Sequence, residues 1–209
     1  DDAGTVSQLG KLGPEIYLFN GRNPDIAADS KGDPHIVFDR KGEGVFYAKG
    51  NGTTGQFPAN PVQIGPAGAI EPRIFIDEKD YVHVVWAVSA SGSNIGGTEG
   101  WYTNNIGGSW RTPIKVAVVG DGDTGDGGLT RITCGRVVKA PGKDIAVTSW
   151  TGEGSATVLV SVEGLAGTPV VKKKLRIVAY MPGLVAFSSS TVRTVYRTGG
   201  GEKATDYDL

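Results

Sequence analysis

Two stretches of this chain, "PDIAADSKGDPHIVF" (24–38) and "PRIFIDEKDYVHVVW" (72–86), align without a gap. Each has two short runs of β-branched and apolar residues on either side of a polar turn, the pattern of a two-stranded antiparallel hairpin. A repeat at a fixed spacing indicates a fold built from similar units. The matched pairs include Pro24 with Pro72, Asp29 with Asp77, His35 with His83 and Phe38 with Trp86.

Two further copies extend the repeat. The stretch 182–196 aligns without gaps, and 130–150 aligns more loosely, with Trp150 in the aromatic position. Every copy continues into a third strand. A fourth strand that opens with proline follows in three copies, at Pro61, Pro113 and Pro169, and one more such strand precedes the first copy, at Pro14. We therefore predict an all-β fold, a β-propeller of four-stranded antiparallel blades with four blades in one domain, 1–209. The predicted blades are 22–65, 70–118, 128–175 and 180–209, the last completed by 12–19.

The predicted strand at the start of the chain leaves two arrangements open. A fourth-type strand, "PEIYLF" (14–19), precedes the first repeat, and the last repeat stops after its third strand. If the first strand of the chain completes the last blade, a small four-bladed ring closes and its exposed strand edges are removed. The same order of strands is also expected of part of a larger six- or seven-bladed ring that further blades or another chain complete.

The composition excludes several partners. The formal net charge is −1 with no basic stripe, so we expect no nucleic-acid partner. No apolar run reaches membrane-spanning length, so we expect no membrane insertion. The single cysteine, Cys134, permits no intrachain disulfide and is expected to be a small buried residue. A chain that begins "DDAG" is expected to be a processed product that is secreted, periplasmic or at the cell surface.

The stretch "TNNIGGSW" (103–110) lies at the predicted turn between the third and fourth strands of the second blade. It resembles the Asp-box of the sialidase-like, BNR-repeat propellers, which runs Ser/Thr, any, Asp, any, Gly, any, Ser/Thr, Trp. Asn105 stands where that family has Asp, and it can make similar turn hydrogen bonds. The resemblance implies that Asn105 and Trp110 are structural and that a functional site lies on the opposite face.

That opposite face carries the loops between blades and the loops between second and third strands. Arginines occur there at three blade starts, and a guanidinium pairs with a carboxylate through two hydrogen bonds. Sialidases clamp a substrate carboxylate with three arginines, so the resemblance implies a clamp for an acidic sugar; the alternative is that these arginines pair with neighbouring acids. The predicted substrate-binding residues are Arg22, Arg73, Arg131, Glu71 and Tyr180.

The loop "DGDTGDGG" (121–128) suggests a second chemistry. Alternating carboxylates in a glycine-rich turn suit Ca²⁺, so Asp121, Asp123 and Asp126 are predicted as metal ligands, with a flexible acidic loop as the alternative. The two histidines, His35 and His83, occupy equivalent repeat positions away from the predicted site, which favours a packing or turn role.

These observations and the resemblance imply a carbohydrate-directed propeller that acts on or binds a glycan or polysaccharide. An enzyme of this kind would be a polysaccharide lyase or a glycoside hydrolase. A non-catalytic glycan- or protein-binding module is the alternative. Because folds of this kind host many functions, the site has to decide between them.

Overall fold

The structure is a computed structural model that describes residues 19–89, 96–121, 131–152, 156–178, 180–186, 188–198 and 201–208. Its regular elements in those ranges are all β-strands, as the alternating apolar pattern predicts. The strands are β1 Arg22–Ala28, β2 Pro34–Arg40, β3 Gly44–Lys49, β4 Val62–Gln63, β5 Ala69–Ile76, β6 Val82–Val88, β7 Glu99–Asn104, β8 Ile114–Val118, β9 Thr133–Lys139, β10 Ile145–Thr151, β11 Ala156–Glu163, β12 Val170–Val178, β13 Tyr180–Ala186, β14 Thr191–Thr198 and β15 Gly201–Asp208.

The strands form four antiparallel sheets in which neighbours in sequence are neighbours in space. Sheet 1 is β1-β2-β3-β4, sheet 2 is β5-β6-β7-β8, sheet 3 is β9-β10-β11-β12, and sheet 4 is β13-β14-β15. The first strand of each sheet packs beside that of the next, as the pairs β1–β5, β5–β9 and β9–β13 show. The prediction of a β-propeller of four-stranded blades is confirmed.

The sheets do not form a closed ring among the described residues. The described strands of sheet 1 and sheet 4 do not pack closely against each other, as expected for part of a propeller. The predicted closing strand, 12–19, lies outside the described residues except for Phe19. The aromatic ring of Phe19 stacks on that of Phe38 at a centroid distance of 5.0 Å.

The core lies between consecutive sheets. Trp86 of sheet 2 is fully buried in a cluster with Val37 and Val45 of sheet 1. Trp150 of sheet 3 is fully buried against sheet 2, where Gly100 leaves no room for a side chain beside the indole. Burial of an indole removes a large apolar surface from water, so these tryptophans hold adjacent sheets together.

The side chains of the hairpin at 103–110 hold it to neighbouring strands. Asn105 Oδ1 accepts a hydrogen bond from the Val82 amide at 2.6 Å, and Gly107 takes a left-handed φ of 84°. Trp110 reaches sheet 1 and packs edge-on against Tyr47, with ring centroids 5.0 Å apart.

Candidate functional site

Each first strand is interrupted at the same place. The register shifts between Arg22 and Asp25 in β1 and between Ile70 and Arg73 in β5. The third and fourth sheets show the same irregularity at the start of β9 and β13. In sheets 1 and 2 the bulge holds Asn23 and Glu71, whose left-handed φ angles are 49° and 53°. Left-handed backbone at residues other than glycine is strained and is often found at functional sites.

Asp39 joins these two bulges. It is the penultimate residue of β2 and is fully buried. Its Oδ2 accepts hydrogen bonds from Arg22 Nε at 3.0 Å and Nη2 at 2.6 Å. Its Oδ1 accepts from Asn23 Nδ2 at 2.7 Å and from the backbone amide of Glu71 at 3.3 Å. We call Arg22, Asn23, Asp39 and Glu71 the Asp39 cluster.

The Asp39 carboxylate is therefore saturated with donors, and Arg22 balances its charge. A carboxylate with two ordered donors on each oxygen has little capacity left for a ligand. Its bond to the Glu71 amide links sheet 1 to sheet 2 and helps to hold Glu71 in the left-handed conformation.

Glu71 is the unsatisfied member of the cluster. Its Oε2 is buried, yet it has no hydrogen-bond partner. A buried carboxylate oxygen without a donor is costly, and such atoms call for an explanation, one of which is a ligand. The atom can accept a hydrogen bond when ionised, or donate one when protonated.

The structure places the predicted arginines at different sheet boundaries. Arg22 lies between sheets 1 and 2, paired with Asp39. Arg73 lies opposite Val85, a residue of the core between sheets 2 and 3, and its Nη1 donates to the carbonyl of Pro72 at 2.8 Å. Arg131 precedes β9 and lies against Gly96, where an added Cβ would collide with its guanidinium. Arg22 and Glu71 are thus the two predicted residues that meet in one cluster.

The remaining predicted residues are only partly described. Tyr180 is the first residue of β13 and pairs with Arg197 in the ladder; its side chain lies outside the description, as does that of Cys134. Asp121 Oδ2 accepts from the Val118 amide at 2.8 Å and from Lys174 Nζ at 2.7 Å. Asp123 and Asp126 lie outside the described residues. The described part of the chain contains no group of three or more possible metal ligands, and the calcium site stays a prediction.

The two histidines form matching hydrogen-bond networks at the turns of the β1–β2 and β5–β6 hairpins. The ionised Asp29 carboxylate, whose Oδ2 lies 3.3 Å from His35 Nε2, can only accept, so Nε2 carries the proton and Nδ1 is left to accept from the Tyr47 hydroxyl at 2.8 Å. His83 repeats both distances with Tyr102 and Asp77. We call these the first and second turn relays, because each aspartate also accepts two backbone amides of its own turn.

Burial and ion pairing shift the pKa values of the relay groups. The Lys49 ammonium, 2.7 Å from Asp29, holds the pKa of that carboxyl well below its usual range. Burial lowers the pKa of His35 and raises the pKa of Tyr47 to about 12. The first relay is therefore built from a neutral histidine and an ionised aspartate near neutral pH, an arrangement that supports its turn.

A cleft of about 190 Å³ opens beside the second relay, between sheets 2 and 3. Its lining includes Asp77, Tyr81, Lys139 and Asp144. Asp77 is already held by His83 and its turn amides, and Lys139 is paired with Glu78 at 2.8 Å. These two charged groups of the cleft are thus already engaged by other residues of the protein.

Sequence reasoning missed Asp39. The signal was present, because the residue after the aromatic position is Asp39 in the first repeat but Ala87, Thr151 and Arg197 in the others. An acid that occurs at this position in one repeat alone indicates a local purpose.

Solved structures with a similar fold include two glycan-active proteins. A variant of the NanB sialidase of Streptococcus pneumoniae matches with a TM-score of 0.54 and 11% identity, over 87% of this chain and 30% of that chain. A glycoside hydrolase family 43 arabinoxylan arabinofuranohydrolase of Bacillus subtilis, in complex with cellotetraose, matches with a TM-score of 0.51 and 11% identity, over 92% of this chain and 48% of that one.

The chain thus spans about a third to a half of these proteins, and the likeness at this identity shows the fold alone. No protein-family model matches the sequence, and no curated protein matches it. The described residues include no helix long and apolar enough to cross a membrane.

Proposed function

We propose that this chain is a carbohydrate-directed β-propeller whose ligand site includes the Asp39 cluster. The observation that carries the proposal is the buried Oε2 of Glu71, which lacks a donor beside a fully saturated Asp39. A sugar hydroxyl is a donor of the kind that such an oxygen accepts. The fold likeness to two proteins that act on glycans supports the ligand class.

If the chain is an enzyme, Glu71 is the residue for proton transfer. Glycoside hydrolases commonly use a pair of carboxyl groups, one as acid and the other as base or nucleophile. Asp39 is a poor second member because its oxygens are occupied by Arg22, Asn23 and the Glu71 amide. A hydrolase or lyase would therefore need its second group from residues outside the cluster.

A non-catalytic glycan-binding module is the second candidate. The observation that favours it is the same saturation of Asp39, which leaves a single unsatisfied carboxylate in the cluster. Both candidate functions are consistent with a location outside the cytoplasm, where polymeric glycans occur, and this location stays a prediction.

Glu71→Gln tests the proposal. The intact chain is titrated calorimetrically with cellotetraose, an arabino-oligosaccharide and a sialylated trisaccharide, and each mixture is assayed for new reducing ends and for unsaturated products. We expect at least one sugar to bind, and Glu71→Gln to weaken it by about tenfold, the worth of one hydrogen bond to a charged group.

The matched control is Glu43→Gln, a glutamate whose side chain is 59% exposed and pairs with Arg40. It should leave binding unchanged. Binding without turnover favours the binding module, and turnover that Glu71→Gln abolishes favours the enzyme. Equal loss of affinity in both variants would remove Glu71 from the site.

A further inference from the structure

Each sheet of this chain has two faces that pack in different ways. We call the face that packs against the following sheet the front face, and the face that packs against the preceding sheet the back face. At the boundary between sheets 1 and 2, Val37 of the front face of sheet 1 lies in one apolar cluster with Ile74 and Trp86 of the back face of sheet 2. The chain itself thus shows how a front face and a back face fit together.

The back face of sheet 1 is open along its first strand. Ile26 is the repeat equivalent of Ile74, yet it is 62% exposed. Ala28, two residues further along the same face of β1, is exposed as well, whereas its equivalent Ile76 packs into the cluster between sheets 1 and 2. Residues that the second repeat buries against a neighbouring sheet are therefore in contact with solvent in the first.

The rest of that back face is covered by the protein itself. Phe38 stands in the place of Trp86 and is 2% exposed, because it stacks on Phe19 and on Phe46 at centroid distances of 5.0 and 5.8 Å. The open part of the face thus lies along β1. In this fold, first strands are the elements that pack from sheet to sheet, as β1 does on β5 and β5 on β9.

The front face of sheet 4 is open in the complementary way. Val195 of β14 occupies the repeat position of Val37 and Val85, which are both fully buried against the following sheet. Val195 is 48% exposed, and Ala204, directly opposite it on β15, is exposed too. This face therefore presents the apolar position that two other sheets bury.

The two open faces are the two halves of the interface that repeats along the chain. Exposed apolar residues that adjoin one another on a sheet face indicate an interaction surface. The polar part of the sheet 4 face consists of Arg193 and Asp206, which form two hydrogen bonds of 2.7 and 2.9 Å. A partner can thus cover this ion pair without leaving either charge unpaired.

A second copy of the chain is the occupant that fits both faces at once, because each copy carries one of each. Contacts of this head-to-tail kind close into a ring where the rotation between copies allows it. Two copies of four sheets give eight sheets, a number within the range of about four to eight blades found in propellers.

We propose that two copies of this chain dock head to tail, with the front face of sheet 4 of each copy packed on the back face of sheet 1 of the other. Val195 of one protomer then joins Ile26 of its partner, as Val37 joins Ile74 within the chain. Two such contacts complete a ring of eight sheets. The inference concerns assembly and does not rest on the proposed carbohydrate function.

The first experiment measures the mass of the intact chain by analytical ultracentrifugation over a range of concentrations. We expect a dimer. Ile26→Lys and Val195→Glu should each weaken it by about tenfold or more, because each places an unpaired charge in the apolar contact. Both positions are exposed within one chain, so circular dichroism should show both variants folded.

Val170→Glu is the matched control, since Val170 is 45% exposed on the edge strand β12 of sheet 3. It should leave the dimer unchanged. An equimolar mixture of Ile26→Lys and Val195→Glu should restore the dimer that each variant loses alone. In the mixed dimer one contact is unaltered, and the other pairs the introduced ammonium with the introduced carboxylate.

A pair of cysteines separates docking between copies from closure within one chain. Ile26→Cys and Val195→Cys are combined in a Cys134→Ala background, because Cys134 is the single native thiol. Mild oxidation should give a covalently linked dimer on a denaturing gel. A disulfide within one monomer would show that the chain closes on itself and would overturn the inference.

Other results decide as clearly. A chain that stays monomeric at every concentration, or a dimer that persists in both Ile26→Lys and Val195→Glu, would reject docking through these faces. Assemblies larger than two copies that the same two variants disrupt would support the docking but reject the ring of eight sheets. Each of these outcomes leaves the proposed function to the sugar titrations with Glu71→Gln.

Discussion

The first and second turn relays have the same three members at the same distances, but they obtain their cation differently. In the first relay Lys49, on the third strand of the same sheet, reaches Asp29 and Asp33 with a side chain that is 43% exposed. In the second relay Asn104 stands at that strand position and bonds the Tyr102 hydroxyl instead. Lys139 then approaches Asp77 from the next sheet, with a side chain that is only 7% exposed.

The difference shows how one repeat can be self-contained while the next depends on its neighbour. Lys139 also pairs with Glu78 at 2.8 Å, so two acids of sheet 2 share one cation of sheet 3. A buried cation whose partners lie in another sheet contributes to the packing of those sheets, whereas an exposed one adds little.

The largest effect is expected for Lys139→Met. The change keeps the apolar stem but leaves Asp77 and Glu78 without their ammonium partner. We expect the free energy of unfolding to fall by about 3 kcal/mol, the usual cost of removing one member of a buried pair. Urea denaturation measures it, and Lys143→Met, at an exposed lysine of the adjacent turn, is the control. A loss no larger than in the control would mean that the bridge between sheets is not stabilising.

Removal of the tyrosine hydroxyls is expected to cost less. Tyr102→Phe leaves His83 Nδ1 and Asn104 Nδ2 without that partner, and we expect a loss of about 1.5 kcal/mol. Tyr47→Phe removes one such bond at a partly buried site and should cost about 1 kcal/mol. Thermal melts of both variants test the order. A larger loss in Tyr47→Phe than in Tyr102→Phe would contradict the expectation that the second relay is the more stabilising of the two.

The first relay should also report on pH. Burial lowers the pKa of His35, so below about 6.5 the unfolded chain binds a proton more readily than the folded chain. This contribution to stability is complete above that pH and is lost as pH falls towards the folded pKa of His35. Unfolding free energies from pH 8 to pH 5 should fall less steeply in His35→Gln. Identical slopes would show that the histidine does not titrate in this way.

The smallest effect is expected for Lys49→Met. Its ion pair with Asp29 is nearly half exposed at the lysine, and the turn amides continue to hold the aspartate. We expect a loss below about 1 kcal/mol, reduced further by salt. Melting temperatures at low and high salt measure it. A loss equal to that of Lys139→Met would remove the contrast between the two relays.

Much of the architecture could be predicted from the sequence. The gapless match between 24–38 and 72–86 contains the alternation, the turn aspartates and the histidines, and the structure has a hairpin at each copy. The histidines were interpreted as packing or turn residues, and both lie in networks that hold turns.

The candidate site was harder to predict because it depends on register. Glu71 takes its left-handed conformation within the bulge of β5, which the sequence does not mark. The choice of Arg131 as a clamp residue followed from its position in the chain. Asp39 was overlooked because in the sequence it resembles an ordinary polar residue at a strand end, and its four donors come from two segments that are far apart in the chain, 22–23 and Glu71.

The bulges have a consequence for how such a site can change. At one height on each first strand, two residues stand outside the ladder that fixes strand pairing, and the first of the two is Asn23, Glu71, Cys134 or Met181. Replacement of such a residue does not shift the strand register, because the residue takes no part in the pairing. The fold thus provides positions in each repeat that can be varied one sheet at a time without disturbing the ladder.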